Sequence, residues 1–173
     1  MPRIVLTVIG DDRPGLVAAL AEVVSRHSGN WERSQMAELA GKFAGIVVVS
    51  LPAQRTEDLT AALRSLDGLL EVTAHPEAPK PAVAAPEWRI DLLGTDRPGI
   101  VHEVSSVLNR HHVSIETMDT LTREAPMAGG QLFEAHVVVR PSDASDVAVM
   151  RADLEHLAAE LLVEIAIAPG QAG

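Results

Sequence analysis

The hexapeptide Gly10-Asp11-Asp12-Arg13-Pro14-Gly15 recurs as Gly94-Thr95-Asp96-Arg97-Pro98-Gly99, changed at one position and displaced by 84 residues. Each copy follows a strand-like apolar run and opens a segment with helical apolar spacing. A chain of 173 residues that repeats a strand-turn-helix junction at half its length is built from two copies of one small domain. The agreement outlasts the hexapeptide. Leu16, Val17, Leu20, Val23, Val24, Arg26, His27 and Glu32 meet Ile100, Val101, Val104, Val107, Leu108, Arg110, His111 and Glu116. After a longer connection from Leu121 to Gln131, Val48, Val49 and Pro52 meet Val137, Val138 and Pro141.

Between the copies, residues 76–87 carry prolines spaced by alanines, which neither continue a helix nor donate to a sheet ladder. This segment reads as a semi-rigid linker between domains at 1–75 and 88–168, with 169–173 as a flexible tail. Domains of that size sit near the lower limit for independent folding, so association, most simply as a homodimer, is expected.

Within each copy the patterning predicts the order βαββαβ. Arg3 to Ile9 is a β-branched strand, and Leu16, Leu20, Val23, Val24 and His27 form one helical stripe. Asp12 near the cap and Pro14 in the first turn read as helix-start signals, with Gly29 closing the segment. Ala40-Gly41-Lys42 joins two strands as a hairpin, a helix begins near Thr56, and Leu69 to Ala74 is the closing strand. The second copy gives strands at 88–93, 113–123, 132–140 and 161–167 and helices at 100–111 and 147–157. The fold class is α+β: two ferredoxin-like sandwiches, each a four-stranded antiparallel sheet with two helices on one face.

Composition excludes several uses of such a fold. The formal charge is -10 and both halves are acidic, so no basic stripe exists to neutralise phosphates and no direct nucleic-acid contact is expected. Only four aromatic residues occur, Trp31, Phe43, Trp88 and Phe133, and the third strands, Phe-Ala-Gly-Ile-Val-Val-Val-Ser-Leu and Leu-Phe-Glu-Ala-His-Val-Val-Val-Arg, lack the set of aromatics that base stacking needs. The absence of cysteine removes thiolate metal sites and thiol nucleophiles. The run from Arg3 to Gly10 is too short for a signal peptide, and no apolar stretch reaches membrane-span length, so a cytoplasmic protein is expected. His111-His112 lacks ligand spacing, and His27 and His111 share a helix-end position that suits structural use; no metal or other cofactor is expected. Glu103 with Glu116, or Asp11 with Asp12, lack a nearby nucleophile or oxyanion donor, so no catalytic residues and no enzyme activity are expected.

The repeated junction resembles the signature of ACT domains, the amino-acid-sensing modules. That signature is a strand ending in Gly-x-Asp/Asn-Arg-Pro-Gly-Leu/Ile-Val, then a helix, then Gly-x-Asn-Ile. The chain carries it as Gly10 to Val17 with Gly29-Asn30-Trp31, and as Gly94 to Val101 with Val113-Ser114-Ile115. Two such copies with nothing else attached look like the glycine cleavage system transcriptional repressor family, whose members act through a partner protein such as a transcription factor. The resemblance implies an effector site at a domain interface, at Gly10, Asp12, Arg13, Pro14, Gly15 and Asn30, and at Gly94, Asp96, Arg97, Pro98, Gly99 and Ser114. Bare first-turn amides and the helix dipole favour a carboxylate, Asp12 or Asp96 suits an ammonium, and the Asn30 amide both donates and accepts. A small amino acid, glycine or serine, fits that chemistry. The alternative is a ligand-free association module, in which Asp-Arg-Pro-Gly serves only to start a helix.

Overall fold

The computed structural model describes residues 2–78, 86–126, 129–141 and 147–170. The chain divides into two compact units, Met1–Lys80 and Pro81–Gly173. Residues 79–85 of the expected linker, and 171–173 of the expected tail, lie outside the described residues.

The first unit runs β1 (Arg3–Asp11), α1 (Leu16–Arg26), β2 (Asn30–Leu39), β3 (Lys42–Ser50), α2 (Thr56–Leu63) and β4 (Glu71–Pro76), with single 3₁₀ turns flanking α2. The second runs β5 (Trp88–Thr95), α3 (Ile100–Arg110), β6 (Ser114–Glu124), β7 (Gln131–Arg140), α4 (Val147–Leu161) and β8 (Val163–Pro169). Both sheets are antiparallel, in the order β2-β3-β1-β4 and β6-β7-β5-β8. Two ferredoxin-like βαββαβ folds result.

The core of each unit follows from period-2 strands meeting period-3.6 helices. Ile4, Leu6 and Val8 of β1 alternate onto the same face as Val47 and Val49, and Leu16, Leu20, Val23, Leu59 and Leu63 close over them. Ile90, Leu92, Val137, Val139, Val104, Leu108, Met150 and Leu154 repeat the arrangement. Each fully buried aliphatic side chain of this kind contributes about 1.5–3 kcal/mol, which is what lets so small a domain hold together.

Element ends differ from the sequence reading for local reasons. Leu69 and Leu70 do not begin β4, because both amides return to the Leu66 carbonyl and close the preceding turn. Leu161 ends α4 instead of opening β8, since Leu162 takes a left-handed φ of 56° and turns the chain. The residues after α1 and α3 that take left-handed φ are Ser28 (58°) and His112 (54°). Gly29 serves close packing instead: a Cβ there would lie 2.8 Å from Val24 Cγ1. Pro76 and Pro169 belong to strands β4 and β8 and not to linker or tail.

The faces of the two sheets turned away from the helices are unlike. On the first, the central strands present Val5, Thr7 and Ile9 opposite Val48, Ile46 and Ala44. Arg33, Gln35 and Ala37 of β2 and His75, Thr73 and Glu71 of β4 border these rows. On the second, Arg89, Asp91 and Leu93 face Val138, His136 and Glu134, with Asp119 and Arg123 on β6 and Glu164 on β8. His136 Nδ1 lies 2.6 Å from Asp91, and Arg123 pairs with Glu134. One face is apolar at its centre and the other is ionic.

Candidate effector site

Each repeated turn is the passage from the end of the first strand to its helix. The turn is pinned by the Asp backbone: the Asp12 amide donates to the Gly41 carbonyl at 2.9 Å, and the Asp96 amide to Gln131 at 2.8 Å. Both carbonyls belong to the neighbouring hairpin, so the ladder extends one bond past each strand. The Asp12 and Asp96 side chains are left exposed.

Gly15 and Gly99 occupy the N-cap positions of α1 and α3 with φ of 95° and 92°, and neither helix has a side-chain cap. This corrects the expectation that Asp12 and Pro14 start the helix. Asp12 lies three residues before the cap, Pro14 precedes it, and the left-handed backbone makes glycine the capping residue. The first-turn amides therefore have no side chain of the capping residue to accept from them. A Cβ on Gly15 would meet nothing within 4 Å, so the requirement there is conformational and the surroundings are open.

Gly10 and Gly94 have a different reason to be glycine. A Cβ on Gly10 would stand 2.6 Å from the Leu69 carbonyl oxygen, and one on Gly94 would run into Val163. Both positions let the fourth strand's approach pack against the first, so packing accounts for them without a ligand.

The two arginines diverge. Arg13 donates to the Gly68 carbonyl at 2.8 Å, whereas Arg97 pairs with Glu103, four residues beyond the cap on α3. Asp11 pairs with Lys42 across β1 and β3; the hydrogen bond and charge of Lys42, then Arg13, hold its carboxyl below the ordinary range, and the hydrogen bond and charge of Asp11 raise Lys42 in turn. Thr95 faces Leu132 at the equivalent place, so the second turn lacks that pair.

Asn30 is not beside the turn of its own domain. It lies opposite Ser50, which faces Arg3, whereas Gly10 faces Phe43 at the other end of the same strands. Seven residues of β1 separate the two ends, about 24 Å. Ser114 opposite Arg140 stands equally far from Gly94 opposite Phe133. Trp31, next to Asn30, packs against the core at that far end and is not adjacent to the Gly10–Gly15 turn. Each sheet thus brings Gly10, Asp12, Arg13, Pro14 and Gly15, or Gly94, Asp96, Arg97, Pro98 and Gly99, to one end and Asn30 or Ser114 to the other.

The far ends have their own shared device. A bulge at Glu32 in β2 and at Glu116 in β6 interrupts each register. Glu32 pairs with Arg3 at 2.8 Å, and Glu116 approaches Arg140 at 3.4 Å, with Arg140 also paired to Glu87. The arginine has moved from the first strand in one copy to the third in the other.

A family model for the ACT domain matches residues 2–75, and a second matches residues 88–161. The chain is a tandem ACT-domain protein. It is 25% identical over 163 residues to the glycine cleavage system transcriptional repressor of Escherichia coli strain K12, covering 91% of this chain and 85% of that protein. An unknown protein from Galdieria sulphuraria, solved as a crystal structure, is 29% identical with a TM-score of 0.88, covering 98% of this chain and 99% of that one. A crystal structure assigned to a glycine cleavage system transcriptional repressor shares the fold at 14% identity and TM-score 0.75, over 99% of this chain and 98% of that one.

Side chains that sequence reasoning weighed for other chemistry have structural partners in the tandem ACT protein. His27 Nδ1 lies 2.8 Å from the Val23 carbonyl, and His111 Nε2 lies 2.9 Å from Asp153. Among the described residues, no three His, Asp or Glu side chains converge to hold a metal, and no helix is long and apolar enough to cross a membrane. Sequence reasoning missed Glu103 and Lys42 as partners of the two turns. The signal was available: Glu103 aligns with Ala19 in the repeat, and Lys42 faces Asp11 once the hairpin is folded.

Proposed function

We propose that this tandem ACT protein is a non-enzymatic cytoplasmic regulator. It binds a small amino acid, glycine or serine, and signals occupancy to a protein partner such as a transcription factor, in control of glycine cleavage or related amino-acid metabolism. The observation that carries this reading is the exposed Asp12 carboxylate beside a helix start capped only by glycine. The amides take the effector's carboxylate, and Asp12 takes its ammonium through a charge-assisted hydrogen bond. Since the turn and Asn30 lie at opposite ends of one sheet, the site joins the turn of one chain's first domain to the Asn30 end of the same domain in a second copy of the chain. An effector held that way favours one arrangement of domains over others, and a partner reads the difference.

The protein acts as a homodimer through the apolar open face of the first unit. A second copy presents the same apolar rows, Val5, Ile9, Ala44, Ile46 and Val48, to cover it. Two copies stacked about a twofold axis running across the strands set Glu71 of each against His75 of the other. This same face is what favours the alternative reading, a ligand-free association module.

Isothermal titration of the full chain with glycine, serine and the other common amino acids separates the two. Heat with one of them, lost in Asp12→Asn with association intact, is the expected result. No heat with any amino acid at millimolar concentration rejects effector binding and leaves the association module.

A further inference from the structure

We propose that the two repeated turns are unequal by construction: Glu103 supplies the second turn with a carboxylate of the chain's own, so each chain takes one effector, at the first turn. The inference rests on the reading of the turns as amino-acid sites given above.

The backbones of the two turns are nearly superimposable in their chemistry. Both caps are left-handed glycines, and the amide four residues on returns to the cap carbonyl at 2.9 Å (Ala19 to Gly15) and 3.0 Å (Glu103 to Gly99). The difference is confined to side chains. On a helix, the residue four positions past the cap lies directly over it. In α1 that residue is Ala19, which carries nothing polar. In α3 it is Glu103, whose Oε1 stands 3.8 Å from where a Cβ on Gly99 would be.

Glu103 is also held there. Arg97, from the same hexapeptide copy, pairs with it, and both side chains are only about one-third exposed. In the first turn Arg13 is directed away to the Gly68 carbonyl, so neither arm of that device is present. An acidic group in a helix's first turn is electrostatically at home, because the dipole favours it. An effector carboxylate would be drawn to that same helix start, and a second anion entering beside Glu103 meets like-charge repulsion. Arg97, the arginine of the same turn, is already engaged with Glu103.

Titration calorimetry on the full chain, with the amino acid that gives heat, tests the assignment. Wild type is expected to bind one equivalent per chain, and both Glu103→Ala and Glu103→Gln two. Ala19→Glu, which installs the carboxylate in the first turn, is expected to lose binding. Glu103→Gln keeps the size and removes the charge, so one equivalent in Gln but two in Ala assigns the block to bulk and overturns the electrostatic account. Two equivalents in wild type, or one in every Glu103 variant, overturns the inference while leaving effector binding in place. No heat in any variant removes effector binding itself, and the inference with it. Far-ultraviolet circular dichroism of each variant confirms that the helices persist.

Discussion

Glycine does two separate jobs within one hexapeptide, and the difference is measurable. Gly15→Ala meets no atom within 4 Å and suffers only the left-handed backbone, a cost of about 1–2 kcal/mol. Gly10→Ala drives a Cβ to 2.6 Å from a backbone oxygen that cannot rotate away, an overpacking cost of about 2–3 kcal/mol. Urea denaturation should rank Gly10→Ala as the less stable of the two. Asp11 offers a second check at this scale. Its carboxyl titrates below the ordinary 3.8 because Lys42 donates to it, so its contribution to stability is present above that value and lost as pH falls through the folded one. Lys42, raised above 10.5, contributes below that value and loses its contribution as pH rises through the folded one. NMR titration of Asp11 should return it toward 3.8 in Lys42→Ala, and 1 M salt should move it the same way, because both side chains are well exposed.

At the scale of elements, the repeat conserves geometry more strictly than it conserves partners. Both second strands bulge at the same glutamate, yet the arginine that meets it stands on β1 in one copy and β7 in the other. Arg3 is about half exposed, so Arg3→Ala should cost under about 1 kcal/mol. Arg140 is only 27% exposed and lies between Glu87 and Glu116, so Arg140→Ala should cost more, about 1–2 kcal/mol. Thermal melts of the two variants should separate accordingly. Strands and helices were legible in the sequence because their apolar periods are written along the chain. Their ends were less so: Leu69, Leu70 and Leu161 look like strand residues, but hydrogen bonds back to Leu66 and a left-handed Leu162 decide otherwise. The hexapeptide was equally visible, whereas the separation of Asn30 from it was not. That distance depends on strand register, which local pattern leaves unstated.

For the whole molecule, duplication has yielded two domains with one topology and different outer faces. Ile46 on the first face is 50% exposed and Leu121 on the second 56%, so neither needs its side chain for its own core. Ile46→Asp should therefore leave folding intact while shifting the protein from dimer to monomer, as read by sedimentation velocity. Leu121→Asp, placed among charges already, should leave the sedimentation coefficient unchanged. A wild-type chain that stays monomeric at high micromolar concentration removes the homodimer from the account.

The bend and the Asn30 or Ser114 end sit on opposite poles of each sheet, so under the proposed reading a solitary domain owns two half-sockets and no whole one. If a metabolite bridges two such poles from separate copies of the chain, as proposed, saturation would become a function of how much protein is present, and dilution would weaken the grip without altering a single contact. A cell holding few copies would register only an abundance of the metabolite, whereas one holding many would respond to scarcity.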